Sequence, residues 1–135
     1  MTSAPTPQTT PATSSAKSRP TNEAYYDFHS TPWHKDVTDA QTWMLASEVR
    51  AQLETLPASG RYPSVFHNIE GLIDHHGQIL HHPLIPGQQT AYANDGEPGG
   101  IRVFYYQEGG KQEHLVGYHI DEKKFALAKF VEAAP

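Results

Sequence analysis

One stretch, IRVFYYQEGGKQEHLVGYHI (Ile101–Ile120), narrows the possible folds more than any other part of the sequence. Runs rich in β-branched and aromatic residues flank Gly109-Gly110, and a glycine pair suits the two-residue loop of an antiparallel hairpin. With those glycines as the loop, Arg102 falls opposite Gly117 and diagonal to His119. A loop two residues longer sets Arg102 directly opposite His119. Side chains alternate with period two, so in either register Arg102 and His119 share a face, flanked by Phe104 and Tyr106. Ile101, Val103 and Tyr105 then share the other face with Val116, Tyr118 and Ile120. That apolar face should meet a helix, and the Arg102 face should meet solvent. Taken alone, an arginine and a histidine on an outer strand face are ordinary surface residues.

The helix that such a sheet needs is expected at Asp39–Leu56. Thr38-Asp39-Ala40-Gln41 has the Thr-x-x-Gln pattern of a capping box, and Asp36 and Asp39 suit the positive end of a helix dipole. Leu45, Val49, Leu53 and Leu56 recur at helical spacing, Arg50 and Glu54 can pair outside, and Pro57 and Gly60 stop the run. Further short apolar runs follow: Phe66, Ile79–Leu80, Leu84–Ile85 and Phe125–Val131, separated by Gly, Pro, Asp and Asn. Before the helix, Tyr25, Tyr26, Phe28 and Trp33 suggest an N-terminal hairpin turning at Ser30-Thr31-Pro32. One helix and a series of strands predict an α+β domain, with the helix packed on a twisted antiparallel β-sheet, over residues 23–135. Residues 1–22, almost all Ser, Thr, Pro, Ala and other polar types, are expected to be a disordered leader.

Several functions are disfavoured by composition. At 135 residues and a net charge of −5, the chain is one modest domain without a broad electrostatic grip on a nucleic-acid backbone. A pocket that reads a single nucleotide remains open. With no cysteine there is no disulfide framework, which fits a reducing compartment. No run is long and apolar enough for a membrane span, and the N-terminus lacks a signal-peptide pattern, so a cytoplasmic protein or a mature secreted form is expected. The expectation is a monomer without cofactor.

Tyr62–Leu72, YPSVFHNIEGL, reads as a binding loop, since it packs an aromatic, a turn-prone His-Asn pair and a carboxylate together. His75-His76 and His81-His82 invite a metal reading, but adjacent strand residues point to opposite faces, so neither pair is a natural chelate and no metal is expected. Gly96–Gly100, GEPGG, lacks the Lys-Ser/Thr and helix of a phosphate loop and reads as a turn into the Arg102 strand.

Between Asp36 and Phe130 the sequence resembles the microbial guanyl-specific ribonucleases, in particular the fungal T-one/N-one group. Asp36–Gln41 looks like that family's helix start. Tyr62-Pro63 and Asn68-Ile69-Glu70-Gly71 look like its guanine-recognition region, and His82-Pro83-Leu84 resembles the strand bearing its catalytic glutamate. Pro98-Gly99-Gly100-Ile101-Arg102-Val103 resembles its Pro-Gly-Ala-Asp-Arg-Val segment, and His119 falls near its C-terminal catalytic histidine.

The family cleaves RNA after guanosine by transesterification, with a general base, a general acid and a phosphate-stabilising cation. The resemblance therefore implies RNA or a guanine nucleotide as partner, Arg102 as the cation, His119 as the acid and Tyr62 as a phosphate contact. It implies Glu70 as the acceptor for the guanine N1 and N2 donors. The backbone of His67, Asn68 and Ile69 would read the remaining base edge, and Phe66 would stack on the ring. Departures accompany the likeness. The family's catalytic glutamate is His81 here, its first catalytic histidine is Ser64, the aromatic that covers guanine is Ile69, and its disulfides are absent. A neutral imidazole is a competent base near neutral pH, so a His81–His119 base and acid pair is one expectation. The alternative is a ribonuclease-like binding or effector protein that has lost cleavage.

Overall fold

The computed structural model describes residues 19–28, 32–33 and 41–134. The chain runs β1 (Tyr25–Asp27), β2 (Trp43–Leu45), α1 (Ala46–Leu53), β3 (Ser64–Phe66), β4 (Ile79–Pro83), β5 (Ile101–Glu108), β6 (Lys111–His119), β7 (Phe125–Leu127) and β8 (Lys129–Val131). It is an α+β fold whose strands form two antiparallel sheets, one of order β2-β1-β8 and one of order β3-β4-β5-β6-β7.

The β5–β6 hairpin is the spine of the larger sheet. Gly109 and Gly110 have φ of +61° and +83°, the paired left-handed conformation of a two-residue loop that glycine adopts without strain. The register follows from that loop, with Arg102 opposite Gly117 and Val103 opposite Val116. On one face Ile101, Val103, Tyr105, Val116 and Tyr118 join Met44, Val49, Leu84 and Phe28 in the main core. Ile120, expected on this face, lies past the strand and is exposed.

The opposite face departs from its expected exposure. Arg102 is 5 % exposed and Phe104 is fully buried. Phe104, Ile73 and Ile79 form a second apolar cluster, packed by Phe66, Leu72, Tyr106, Leu115, Phe125 and Leu127. Phe104 is covered by side chains of the edge strands β3 and β7 and of Leu72 and Ile73, whereas Arg102 is covered by the Tyr62 ring and the Gly99 and Ile101 carbonyls.

Helix α1 is shorter than its periodicity suggests. Trp43–Leu45, expected within the helix, instead pairs with β1, and Leu45 caps α1 in an extended conformation without a side-chain cap. Pairing with β1 satisfies backbone groups that a helix would otherwise satisfy, and it buries Trp43 and Met44 together. Thr38, Asp39 and Ala40 of the expected capping box lie outside the described residues; Gln41 bonds the Trp43 carbonyl. The N-terminal hairpin is likewise replaced. Tyr25–Asp27 pairs with β2 on one side and β8 on the other, while Ser30 and Thr31 of its expected turn lie outside the described residues. Within the expected leader, Arg19 bonds Asp27 at 2.9 Å and the Thr21 carbonyl accepts from Ala134 N at 3.0 Å.

Two side chains of α1 fix the segment that follows β4. The buried Gln52 amide donates to the Ile85 and Gln88 carbonyls at 2.8 and 3.0 Å and accepts from Ile85 N at 3.2 Å. Glu48 accepts from Gly87 N at 2.8 Å. Polar side chains on the buried helix face thus supply partners for loop backbone that could not otherwise be buried.

Candidate functional site

The binding loop begins in a clamp. The Asn94 side chain accepts from Tyr62 N at 2.9 Å and donates to the Tyr62 carbonyl at 2.9 Å, holding both backbone groups of that residue. The Tyr62-Pro63 bond that follows is cis. Tyr62 is buried edge-on against His81, His82 and Tyr92, with ring centroids 5.6, 6.2 and 6.3 Å away. The guanidinium carbons of Arg61 and Arg102 lie 5.2 and 5.5 Å from its ring centroid, within cation–π range.

Past β3 the chain turns at Asn68–Gly71. Asn68 takes φ +53°, a left-handed conformation that asparagine tolerates. Its amide donates to the Ile73 carbonyl at 2.7 Å and accepts from Ile73 N at 3.0 Å. The Asn68 carbonyl accepts from Gly71 N at 3.0 Å, so the turn is closed from both sides. Glu70 is exposed on it, and Ile69 is 90 % exposed.

His81 and Ser64 meet across the β3–β4 pair, where Ser64 Oγ and His81 Nε2 share a hydrogen bond of 3.0 Å. His81 stacks on Phe104 with rings 6.0 Å apart and 10° from parallel. Its Nδ1 is buried without a partner. Burial, followed by the Arg102 and His119 charges, pushes the imidazole pKa down to about 4. A protonated ring would need two acceptors where one hydroxyl is present, so near neutral pH the ring is uncharged.

Arg102 lies on the same face. Its Nη1 donates to the Gly99 and Ile101 carbonyls at 2.6 and 3.0 Å, while Nε is buried without a partner. Among the described residues no carboxylate pairs with it. Burial lowers its pKa, opposed by the Tyr62 hydroxyl. His119 donates from Nδ1 to the Asp121 carbonyl at 3.1 Å, and its ring packs on Phe125 with centroids 4.1 Å apart.

These side chains surround two cavities. The first, about 390 Å³, is lined by Phe66, His67, Asn68, Ile69, Glu70 and His81, with Lys123 and Phe125 completing the wall. The second, about 330 Å³, holds Tyr62, Arg102 and His119, with Arg61, Trp33, Glu97 and Glu122 around them. They adjoin, because Tyr62 of the second packs on His81 of the first and His119 of the second packs on Phe125 of the first.

Compared with protein-family models, curated proteins and solved structures, the chain matches none. Its chemistry must be read from the site itself.

The residues singled out in sequence thus divide between two spaces. Phe66, His67, Asn68, Ile69, Glu70 and His81 line one; Tyr62, Arg102 and His119 line the other. Sequence reasoning passed over Phe125, Asn94, Arg61, Lys123 and Trp33. Phe125 had a usable signal, since a short return from His119 pairs it with that histidine, as observed. Asn94 had none, because its contact with Tyr62 spans the whole of β4 and the loop beyond. His75 is accounted for structurally: it stacks on Tyr106 at 4.2 Å and donates to Glu108 at 2.7 Å. Among the described residues, no group of three or more His, Cys, Asp or Glu side chains is placed to hold a metal ion, and no helix is long and apolar enough to cross a membrane.

A buried guanidinium with an unpartnered N–H, an imidazole and a tyrosine border the second space, and a second imidazole, His81, lines the first beside that tyrosine, a set suited to an anion and to proton transfer. The neighbouring turn, with its exposed carboxylate and the Phe66 ring, suits a planar ligand bearing hydrogen-bond donors.

Proposed function

We propose that this chain is a guanine-preferring endoribonuclease of the microbial guanyl-specific type, cleaving RNA by transesterification to a 2′,3′-cyclic phosphate. The observation that carries the reading is the adjacency of the two cavities. The cavity lined by Phe66 and the turn presenting Glu70 adjoins the cavity of Arg102, His119 and Tyr62, with His81 packed on Tyr62 at the junction. Guanine would lie in the first cavity, its N1 and N2 donors on Glu70. The scissile phosphate would lie in the second, against the Arg102 guanidinium and the Tyr62 hydroxyl.

His81 would take the 2′-hydroxyl proton through Nε2, the ring nitrogen beside Ser64. The 2′-oxygen then forms its bond to phosphorus, the bond from phosphorus to the 5′-oxygen breaks, and His119 would give its proton to that 5′-oxygen as it leaves as a hydroxyl. The depressed pKa fits the role in an unexpected way. At about 4, the imidazole has the proton affinity of an ordinary glutamate, about 4.3, without the negative charge. A neutral base beside an incoming phosphodiester avoids the repulsion that a carboxylate adds.

The test is cleavage of GpN dinucleotides. Activity above a His119→Ala control, falling at least a hundredfold in His81→Ala, is expected. The acid limb of the kcat/KM profile should fall near pH 4, not near 6.5, because His81 keeps its lone pair until then. No activity above the control sinks the reading.

The second reading is a ribonuclease-like protein that binds RNA or a guanine nucleotide without cleaving it. One observation favours it: the serine hydroxyl already engages His81 Nε2, and Nδ1 is sealed in the interior. Guanine-nucleotide binding with no turnover would decide for it.

A further inference from the structure

Trp33 precedes the stretch that resembles the guanyl-specific ribonucleases, yet it lines the second cavity. Two backbone hydrogen bonds place it. Trp33 N donates to the His119 carbonyl at 2.8 Å, and His119 N donates to the Gly100 carbonyl at 2.8 Å. Trp33 therefore sits as an added rung beside β6 at the position of His119. A Cβ at Gly100 would collide with the Trp33 carbonyl oxygen, so the close approach requires glycine there. The indole stands edge-on to the His119 imidazole, with centroids 6.4 Å apart at 62°, and is 37 % exposed. The other tryptophan, Trp43, is buried. An indole left partly open in a cavity wall is a surface for a flat, apolar-faced ligand.

The composition of the cavity narrows that ligand. Glu97 and Glu122 share its lining with Trp33, and both are acceptors that repel a further phosphate. An uncharged ring bearing N–H donors fits them. The direction of the RNA supplies the rest. With guanine beside the Asn68–Gly71 turn, the leaving 5′-oxygen faces His119, and the nucleoside attached to it continues into the second cavity.

We propose that Trp33 is the platform on which the base downstream of the scissile phosphate stacks, so that the protein recognises the nucleoside on both sides of the bond. This rests on the guanyl-ribonuclease reading for its direction but on Trp33 and its cavity for its substance. Trp33→Ala retains the backbone hydrogen bond to His119, and Trp33→Phe retains a stacking ring.

The experiment compares kcat/KM for GpA with that for the methyl ester of guanosine 3′-phosphate, which has the same scissile phosphate and no downstream base. The ratio of the two should fall roughly tenfold in Trp33→Ala, as expected for one lost base–aromatic stack, and recover largely in Trp33→Phe. A ratio unchanged in Trp33→Ala, with both substrates slowed equally or neither slowed, overturns the proposal, because a merely structural tryptophan would act on both alike. Should the wild-type protein cleave neither substrate, the ribonuclease reading fails separately. Adenosine titrated against the exposed tryptophan emission then decides alone: saturable quenching absent from Trp33→Ala upholds the platform, and no quenching overturns it.

Discussion

Strand β4 presents two neighbouring histidines to opposite sides of one sheet, and their surroundings differ in kind. His82 points to the helix side, is fully buried, and donates from Nε2 to the Tyr92 carbonyl at 2.8 Å. His81 points to the other side, half-buried between Phe104 and Ser64, at the lining of a cavity. Each ring keeps one buried nitrogen without a partner, so a count of unpaired atoms does not separate them. What each ring faces does. His82 is locked to backbone inside a closed wall of Tyr62 and Tyr92, and its role is to fill and fix. His81 is bonded to a hydroxyl that can rotate, next to space that a ligand can enter. The two faces of the sheet repeat the contrast. The helix side is closed around Met44, Val49, Val103 and Tyr118, while the other side is apolar at one end and opens at Arg102 and His119.

The contrast can be broken most forcefully at Phe104. Phe104→Ala should cost about 3–5 kcal/mol in chemical denaturation. It should also raise the His81 pKa measured by NMR, since the ring that buries that imidazole is gone. Met44→Ala, on the helix side, should cost about 2–5 kcal/mol and leave the His81 titration in place. If both substitutions move His81 alike, the two faces are not independent.

Acid should act through the histidines next. An unfolded imidazole titrates near 6.5 and His81 near 4, so between these values the unfolded chain holds a proton that the folded chain rejects. Stability from this group is complete above about pH 6.5 and lost as the pH falls toward 4, by about 3 kcal/mol at most. His82 and His114 are shifted in the same direction by burial. Denaturation of His81→Gln across that range should show a shallower slope than the wild-type protein.

Gly117 offers a smaller effect. It stands opposite Arg102, and a Cβ there would lie 2.6 Å from Phe104 Cε2 and 2.9 Å from the Ala126 carbonyl. Gly117→Ala should destabilise by about 1–3 kcal/mol through overpacking. The smallest effect is expected at Ser64. Ser64→Ala removes the one partner of His81 and should cost about 1 kcal/mol. It also frees Nε2, so on the proposed mechanism cleavage should survive it. Loss of cleavage with full retention of fold would make the hydroxyl part of the reaction.

Where periodicity and local turn chemistry governed the outcome, the sequence was a good guide. Gly109-Gly110 placed Arg102 opposite Gly117, and alternation put Arg102 and His119 on one face. Two features were hidden for physical reasons. Trp43–Leu45 is only three residues long and abuts a run of helical spacing, so its pairing with β1 is decided by tertiary contacts. The burial of Phe104 depends on Phe66 and Phe125 from the two edge strands of the sheet, and that of Arg102 on Tyr62 from a distant loop, long-range contacts that no local pattern encodes. At the site, the loop and cation were legible as residue types. The clamp on Tyr62 and the sealing of His81 Nδ1 were not, because both come from segments distant in sequence.

The run Phe125–Val131 was expected as one strand, and it is divided between the two sheets. Phe125–Leu127 closes the edge of β6 beside His119, Ala128 N bonds the Val116 carbonyl, and Lys129–Val131 closes the edge of β1. Among the described strands these two are synthesised last. A nascent chain already exposed through Ile120 would still have β1 and β6 as open edges, and His119 would lack its Phe125 wall. Chain order therefore makes completion of the site depend on β7: until Phe125 has been synthesised, His119 has no wall on that side.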